Sequence, residues 1–506
     1  MKKRVLALIL AALLLAPSML ACSETTVEES GDASTDAVDA AADPALEAAE
    51  ETEERLKPNI PEKADFGGED VRFIFWNISS WASGSHESRD LVAEEINGEA
   101  INDAVYNRNA LVSENYNVTF SLEILAHDKI VSTVQSCVRS GDDAYDCVYP
   151  RLVEGTPLFS DGSLLNILEV PNIDLSMPWW DSNVADSMTI YGYLPCAATS
   201  INVNDKDATA ALSFNKIVAE NYGIEDPYTL VREGKWTIDK VWELSDLIDN
   251  DTNGNGKMDE GDMFGFLGAR DTMEAFYYGS GFQHATRQED GGIAFTYGSE
   301  AEVDYTQKIM DFMATEFFFN GHLDPFTMDA DVRFSNDESL FLWIKLGSIT
   351  NMRSLEGEFG VLPTPKANED QENYYSMVSR HHTGLLSIPT TQYGEKLEQL
   401  GIILEALAAE SHYTVIPAYI ETSLKTKHAR DAESADMLDI IISSRIYDPV
   451  YLYNFGAFAD NFLCMGEAGL DNIASFLKAR QKMMSKTIEK FNKNLMEILE
   501  NQANAD

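Results

Sequence analysis

VRFIFW, Val71 to Trp76, is a short run of branched and aromatic residues, the pattern of a buried β-strand. A helical pattern follows from about Ser88 to Tyr116, and the alternating stretch VTFSLEIL, Val118 to Leu125, predicts a second strand. A helix from about Lys129 to Arg139 and a strand at YDCVYPR continue the alternation. Strands that alternate with helices at this spacing form βαβ units, so the sequence predicts an α/β fold with a mostly parallel sheet.

The alternation begins again near ATAALSFNK, Ala208 to Lys216, and leads to helices around Ile217 to Tyr222 and Thr237 to Ile248. MFGFLG then reads as a strand, and the sequence beyond Pro389 is mostly helical. Further helices are predicted at 396–410, 432–445 and 470–502. A chain of 506 residues, 44% of them hydrophobic, is too long for one compact lobe, so two lobes are expected.

The first 22 residues, MKKRVLALILAALLLAPSMLAC, have the basic start, short apolar run and small residues of a secretory signal, predicted here as residues 1–21. MLAC resembles the bacterial lipobox, which implies a lipid anchor on Cys22; an ordinary signal peptide cut elsewhere is the alternative. Residues 22–65 are rich in Ala, Ser, Thr, Asp and Glu and predict an acidic flexible stalk. A short helix from Pro44 to Leu56 is the alternative there.

The composition is strongly acidic, with 84 Asp plus Glu against 37 Lys plus Arg and a formal net charge of -47. This balance argues against a nucleic-acid partner, because binding to phosphates requires clustered basic residues. Cys137, Cys147, Cys196 and Cys464 remain after the signal peptide. These four cysteines could form two disulfides or remain buried free thiols, and the sequence does not decide between the two states.

DTNGNGKMDEGD, Asp251 to Asp262, has the spacing of an EF-hand-type calcium loop, with Gly256 at the position of the sharp turn. The last position is Asp where Glu is usual, and its shorter reach is a departure from the pattern. A structural Ca²⁺ ion would offset the repulsion between the clustered carboxylates; a polar turn without an ion is the alternative. The predicted ligands are Asp251, Asn253, Asn255, Lys257 through its main-chain carbonyl, Asp259 and Asp262.

Several segments together resemble the extracellular solute-binding lipoproteins of bacterial ABC importers, in particular their carbohydrate-binding group. The resemblance covers most of the chain after the stalk. It is carried by the calcium-type loop and by MLAC, PWWDSNV (Pro178 to Val184), LSFNKIVAENYGIEDPY (Leu212 to Tyr228), GKWTIDKVWEL (Gly234 to Leu244) and FGVLPTPK (Phe359 to Lys366).

The resemblance implies a two-lobed clamp like that of type II periplasmic binding proteins, with crossing segments between the lobes and a helical C-terminal region. Lobe one is expected at 66–207 plus 346–380, and lobe two at 208–345 plus 381–506. The implied function is capture of a carbohydrate, in particular an oligosaccharide, for an ABC transporter permease. The protein would be a monomer on the outer face of the cell membrane, would bind no nucleic acid and would not be an enzyme.

Sugars present apolar faces edged by hydroxyl groups, so their sites combine flat aromatic rings with planar polar groups. Each aromatic candidate has core packing as its alternative, and Trp236 and Trp242 are assigned to packing. His381 and His382 point to opposite faces of a strand, so only His381 is kept as a ligand residue. The candidates are Trp76, Trp81, Arg151, Trp179, Trp180, Tyr277, Trp343, Arg380 and His381, with Tyr278 beside Tyr277.

Two other functional classes remain open from the sequence. A secreted glycan hydrolase would need two suitably spaced carboxylates, and an acidic chain offers many. A peptide-binding or sensing receptor of the same fold is the other alternative. Stoichiometric uptake of a glycan without products would distinguish a binding protein from the hydrolase.

Overall fold

The computed structural model describes residues 55–77, 90–248, 251–258, 262–321, 330–352, 358–424, 432–466 and 473–503. The predicted signal peptide, Cys22 and most of the predicted stalk lie outside these residues, as do Trp81 and Asp259. Within the described residues, no helix is long and apolar enough to cross a membrane. At the end of the predicted stalk, the Pro61 carbonyl accepts the Tyr116 hydroxyl at 2.6 Å, so this part of the chain is packed against the fold.

Three parallel strands open the fold, as their apolar sequence predicts. They are β1 (Glu69–Asn77), β2 (Val118–Ala126) and β3 (Cys147–Tyr149), in the order β2-β1-β3. The helices that connect and follow them are α1 (Ala100–Tyr116), α2 (His127–Ser140) and α3 (Leu152–Ser160). The predicted alternation of strand and helix is confirmed.

Helix α1 begins later than the predicted Ser88. The Glu99 side chain caps it by accepting a hydrogen bond from the Asn102 backbone at 2.8 Å. Gly98 precedes the cap at φ +86°, a conformation that a helix does not contain. The apolar residues before it therefore could not extend the helix.

Two later segments extend the first sheet beyond β3. Val148 pairs antiparallel with Ser387, and Leu386 pairs antiparallel with Ala197. Residues 384–388, which the sequence assigned to lobe two, thus form an antiparallel strand between β3 and Ala197.

A second sheet repeats this plan. Its strands are β4 (Ala210–Asn215), β5 (Phe264–Gly268), β8 (Phe318–Asn320), β9 (Ser339–Lys345) and β10 (Phe359–Leu362), in the order β10-β4-β9-β5-β8. Strand β5 is parallel to both neighbours, whereas β4 is antiparallel to both. Each sheet therefore contains one antiparallel strand, at residues 384–388 in the first sheet and at β4 in the second. Small strand pairs are formed by β6 (Ala285–Arg287) with β7 (Ile293–Phe295) and by β11 (Ser376–Met377) with β12 (Arg445–Ile446).

Helices cover the sheets, and the chain beyond Pro389 is largely helical, as predicted. The C-terminal helices include α13 (Gly394–Tyr413), which packs on α1, and α15 (Ala432–Ser443), which packs on β10. The other described helices are α4 (Ser182–Met188), α5 (Asn204–Asp207), α6 (Lys216–Tyr222), α7 (Pro227–Arg232), α8 (Ile238–Asp246), α9 (Thr272–Gly279), α10 (Glu300–Met313), α11 (Ala330–Ser335), α12 (Ser348–Met352), α13 (Gly394–Tyr413), α14 (Val415–Leu424), α15 (Ala432–Ser443), α16 (Pro449–Tyr453), α17 (Phe458–Leu463) and α18 (Ile473–Ala503).

The apolar core is continuous across both sheets. Trp236 is fully buried and its indole N–H donates to the Pro363 carbonyl at 2.9 Å, while Trp242 packs edge-on against Phe312. The assignment of these two tryptophans to packing is confirmed. Cys147 and Cys196 are buried free thiols, and burial raises the pKa of Cys196 to about 12.

The segments that pass between the sheets lie side by side. The Ser379 N–H donates to the Ala208 carbonyl at 2.9 Å, and the Leu346 N–H donates to the Thr209 carbonyl at 3.0 Å. Gly384 is held by the Asn204 side chain at 2.9 Å. We call residues 378–384 the crossing segment; it connects the second sheet to the antiparallel strand of the first.

Candidate functional site

The carboxyl ends of β2 and β3 place a polar group beside the crossing segment. Arg151, two residues after the end of β3, donates from Nε to Glu154 Oε2 at 2.6 Å and also pairs with that carboxylate through Nη2. His127 Nδ1, directly after β2, lies 3.0 Å from Glu154 Oε1 and 3.2 Å from Arg151 Nη2. The carboxyl end of an α/β sheet is where such folds bind ligands.

The crossing segment lies against the N-terminus of α3. The Leu152 N–H donates to the Thr383 carbonyl at 2.9 Å, and the Val153 N–H donates to the Arg380 carbonyl at 3.2 Å. Arg151 Nη1 donates to the His381 carbonyl at 3.3 Å. Free N–H groups at a helix start need acceptors, and the crossing segment supplies them.

Strand β9 and helices α9 and α17 contribute further groups near the crossing segment. Helix α9 begins shortly after β5 and carries Glu274, which is buried in its first turn. Arg380 donates from Nη2 to Asp460 of α17, and its guanidinium lies 5.4 Å from the Tyr451 ring centre. Lys345, the last residue of β9, lies 2.8 Å from His382 through its Nζ.

Several buried polar atoms of this region have no hydrogen-bond partner within the described part of the chain. They are Glu274 Oε1, Arg380 Nε and Nη1, His381 Nε2 and Thr383 Oγ1. Buried polar groups are nearly always hydrogen-bonded, so each unpartnered group calls for an explanation. A polar ligand held between the sheets would supply the missing partners.

Burial shifts the pKa of Glu274, Lys345 and His381. It raises the pKa of Glu274 to about 8 and lowers that of Lys345 to about 8. The pKa of His381 is lowered to about 3, first by burial and then by Arg380 and Arg151. Near neutral pH, His381 is therefore uncharged, and Glu274 is mostly protonated and able to donate a hydrogen bond.

Of the predicted ligand residues, the structure brings Arg151, Arg380 and His381 together. Trp76 lies behind them: it is fully buried, and the Arg151 guanidinium is 5.9 Å from its ring centre. Trp76 packs against Arg151 and both faces of its ring are covered by the protein. The prediction that Trp76 stacks on a ligand is therefore wrong. Trp81 lies outside the described residues.

The prediction that Trp179 and Trp180 stack on a ligand is wrong. Both are buried, and their indole N–H groups donate to the two carboxylate oxygens of Glu405, at 2.9 and 2.8 Å. The pair therefore fastens the loop before α4 to helix α13. A tandem of aromatic residues between Pro and Asp looked exposed because nothing local revealed a partner so distant in sequence.

Tyr277 and Tyr278 are also core residues. Tyr277 is fully buried, stacks on His284 with ring centres 4.4 Å apart, and donates its hydroxyl to Glu302 at 3.1 Å. The prediction of Tyr277 as a ligand residue is therefore corrected. Trp343 is half-buried against the core, and its role as a ligand residue stays a prediction.

Sequence reasoning missed several polar residues of this region. Position at a strand end is a signal for three of them: His127 directly follows β2, Lys345 is the last residue of β9, and Asp271 lies three residues after β5. Ranking candidates by aromatic character overlooked them. They are His127, Glu154, Asp271, Glu274, Lys345 and Asp460.

The calcium-type loop has the backbone of a cation-binding turn. The Asp251 carboxylate accepts the Asn255 and Gly256 N–H groups at 3.1 and 2.8 Å, and Gly256 has φ +77°. Asp262 is fully buried and accepts the Thr252 N–H at 3.0 Å. These contacts leave further oxygen lone pairs, so the donor set fits a hard cation such as Ca²⁺. No group of three or more His, Cys, Asp or Glu residues is placed to hold a metal within the described residues, which exclude Asp259.

No protein-family model matches the sequence, and no curated protein is similar to it in sequence. Solved structures with low sequence identity match most of the chain. An ABC substrate-binding protein from Listeria monocytogenes in complex with cycloalternan has a TM-score of 0.52 at 10% identity, with 85% of this chain and 99% of that chain covered.

Two further structures agree in fold. The cyclic alpha-maltosyl-1,6-maltose binding protein of Arthrobacter globiformis has a TM-score of 0.55 at 12% identity, with 84% of this chain and 100% of that chain covered. UspC of M. tuberculosis has a TM-score of 0.52 at 14% identity, with 83% and 100% covered. The chain therefore has the two-lobed α/β fold of these substrate-binding proteins, which the sequence predicted.

Proposed function

We propose that the protein is an extracellular receptor that captures a carbohydrate, in particular an oligosaccharide, and delivers it to the permease of an ABC transporter. The observation that carries the proposal is the group of unpartnered buried polar atoms at the crossing segment, where the two sheets are joined. Two of the similarly folded proteins concern carbohydrates. The Listeria protein was solved in complex with cycloalternan, and the Arthrobacter protein is named a cyclic alpha-maltosyl-1,6-maltose binding protein. They support a carbohydrate as the ligand class.

The polar groups suit sugar hydroxyls, which both donate and accept hydrogen bonds. Arg380 offers two N–H donors, Thr383 a hydroxyl, and His381 a ring nitrogen. Glu274 changes from donor to acceptor with its protonation. The arrangement holds a ligand from both sheets at once, so closure of the lobes on the ligand would present a single surface to the permease.

The calcium-type loop is proposed as a structural site for Ca²⁺. Asp251, Asn253, Asn255, Asp259 and Asp262 would supply side-chain oxygens and Lys257 its carbonyl. The ion would join the end of α8 to the start of β5, because the loop connects these two elements. It would have no catalytic duty.

The N-terminal sequence supports an anchor on the outer face of the cell membrane. Lipidation of Cys22 would hold the protein there through the acidic residues that follow it, and more than one acyl chain gives a stable attachment. We propose that the receptor works as a monomer.

Titration calorimetry with a panel of oligosaccharides, followed by chromatography of the same samples, tests the function. We expect saturable binding of one carbohydrate family and no new products after long incubation. Turnover would establish the hydrolase instead, and binding of peptides alone would overturn the carbohydrate assignment. Arg151→Met should weaken binding at least about tenfold, because Arg151 positions the crossing segment through the His381 carbonyl and is held by charge-assisted hydrogen bonds to Glu154. Arg232→Met is the control, since Arg232 pairs with Glu433 on the surface.

A further inference from the structure

Guanidinium groups converge on the crossing segment. Besides burial, Arg380, Arg151 and Arg270 each lower the pKa of His381, and only Asp460 raises it. These guanidinium groups therefore lie close enough to the imidazole to act on its charge.

Arg380 itself is fully buried with part of its hydrogen-bonding capacity unused. Nη2 donates to Asp460, whereas Nε and Nη1 have no acceptor within the described residues. A guanidinium stays charged under all ordinary conditions. An acceptor that carries negative charge is the partner that such a group binds most strongly.

The guanidinium groups near the crossing segment already have carboxylate neighbours, and Asp271 lies 3.9 Å from Arg270 Nε. Glu154 is engaged by Arg151, and Asp460 already pairs with Arg380. Glu274 is buried and its carboxyl is kept mostly protonated near neutral pH. Lys345 contacts His382, and the nearby Asp271 and Asp331 favour its charged form by raising its pKa.

We propose that the carbohydrate bound at the crossing segment is acidic and carries a carboxylate, as in an oligosaccharide that contains a uronic acid. This inference rests on the proposed function and specifies its ligand. The ligand carboxylate accepts from the free N–H groups of Arg380. The ring hydroxyls pair with His381 Nε2, Thr383 Oγ1 and Glu274 Oε1.

The decisive comparison uses wild-type protein and a matched pair of ligands. Di- and trisaccharides of galacturonate, glucuronate, mannuronate and guluronate are titrated by calorimetry beside their methyl esters and the neutral parent sugars. The ester keeps the shape of the acid and removes its charge. We expect one acid to bind at least about tenfold more tightly than its ester, as loss of a charge-assisted contact implies.

Equal or tighter binding of the ester or of a neutral sugar would overturn the acidic assignment and leave the carbohydrate receptor standing. Binding of sugar phosphates but not of uronates would overturn the assignment of a carboxylate as the charged group of the ligand. Absence of binding by every acid, ester, phosphate and neutral sugar would reject the receptor and this inference together.

A variant tests whether Arg380 causes the preference for the acid over its ester. Arg380→Gln should bring the affinities of acid and ester within about twofold of each other, because the amide keeps hydrogen bonding and loses the charge. Arg232→Gln is the control and should keep the full difference. Lys345→Met serves where Arg380→Gln does not fold, and it should lower the preference for the acid several-fold. An unchanged preference in a folded Arg380→Gln would contradict the assignment of Arg380.

Discussion

Glu405 accepts the indole N–H of Trp179 at 2.9 Å across a separation of 226 residues. Its second carboxylate oxygen accepts the N–H of Trp180 at 2.8 Å, and the Asp174 backbone N–H adds a contact at 3.3 Å. A single buried carboxylate on α13 thus fixes the conformation of the loop that precedes α4. Trp179 and Trp180 therefore stabilise the fold, and other residues are the candidates for ligand contact.

Replacement of Glu405 by Gln should lower the free energy of unfolding by about 2–4 kcal/mol, because one indole N–H would face an amide N–H in a buried site. Urea unfolding followed by tryptophan fluorescence measures this loss. Glu398→Gln lies on the same helix at an exposed position and should change the value by no more than about 0.5 kcal/mol. Equal stability of the two variants would contradict the role of Glu405.

Glu274 should make the stability of the protein depend on pH. Its pKa is raised from 4.5 to about 8 in the folded chain, mainly by burial. The protonated carboxyl therefore stabilises the fold fully below pH 4.5, and this contribution is lost as the pH rises through about 8. Glu274→Gln should remove this pH dependence. Between pH 4.5 and about 8, the free energy of unfolding of the variant should therefore rise relative to that of the wild type by up to ~1.4 kcal/mol per pH unit.

Thermal unfolding between pH 4 and 9 (about the range that brackets both pKa values) tests this prediction for Glu274. The exposed Glu369→Gln is the control and should follow the wild-type curve. Parallel curves for wild type and Glu274→Gln would contradict the prediction, because they would show that the pKa of Glu274 is the same in the folded and unfolded chain.

Removal of calcium should lower the melting temperature. A ligand that binds only the folded state stabilises it by about 2.7 kcal/mol at one hundred times its dissociation constant. Chelation should therefore destabilise the protein, and added Ca²⁺ should restore it. Asp251→Asn should abolish the response, while Asp246→Asn on α8, exposed and outside the loop, should keep it. An unchanged melting curve with chelator would count against the site.

Replacement of Cys22 by Ser should release the protein from membranes, since no acyl chain could then be attached. Cell fractionation with immunoblotting measures the shift from the membrane pellet to the soluble or secreted fraction. Cys137→Ser leaves the lipobox intact and should stay with the membrane. Retention of Cys22→Ser in the pellet would exclude the lipid anchor.

The sequence predicted the elements of the fold better than their grouping. Apolar periodicity located β1, β2 and α2 within a few residues, because that signal is local. The pairing of Leu386 with Ala197 depends on the path of the whole chain and has no local signal. Among the candidate ligand residues, the polar Arg151, Arg380 and His381 lie together, whereas Trp76, Trp179, Trp180 and Tyr277 are buried in the core.

The antiparallel strand at residues 384–388 has a consequence for biosynthesis. A ribosome must translate the whole second sheet before it makes the strand that lies between β3 and Ala197. The N-terminal sheet cannot be completed while the chain is short, and closing so long a loop slows folding. For a chain exported across a membrane, as we propose, this topology keeps the sheet unfinished until most of the protein has been synthesised.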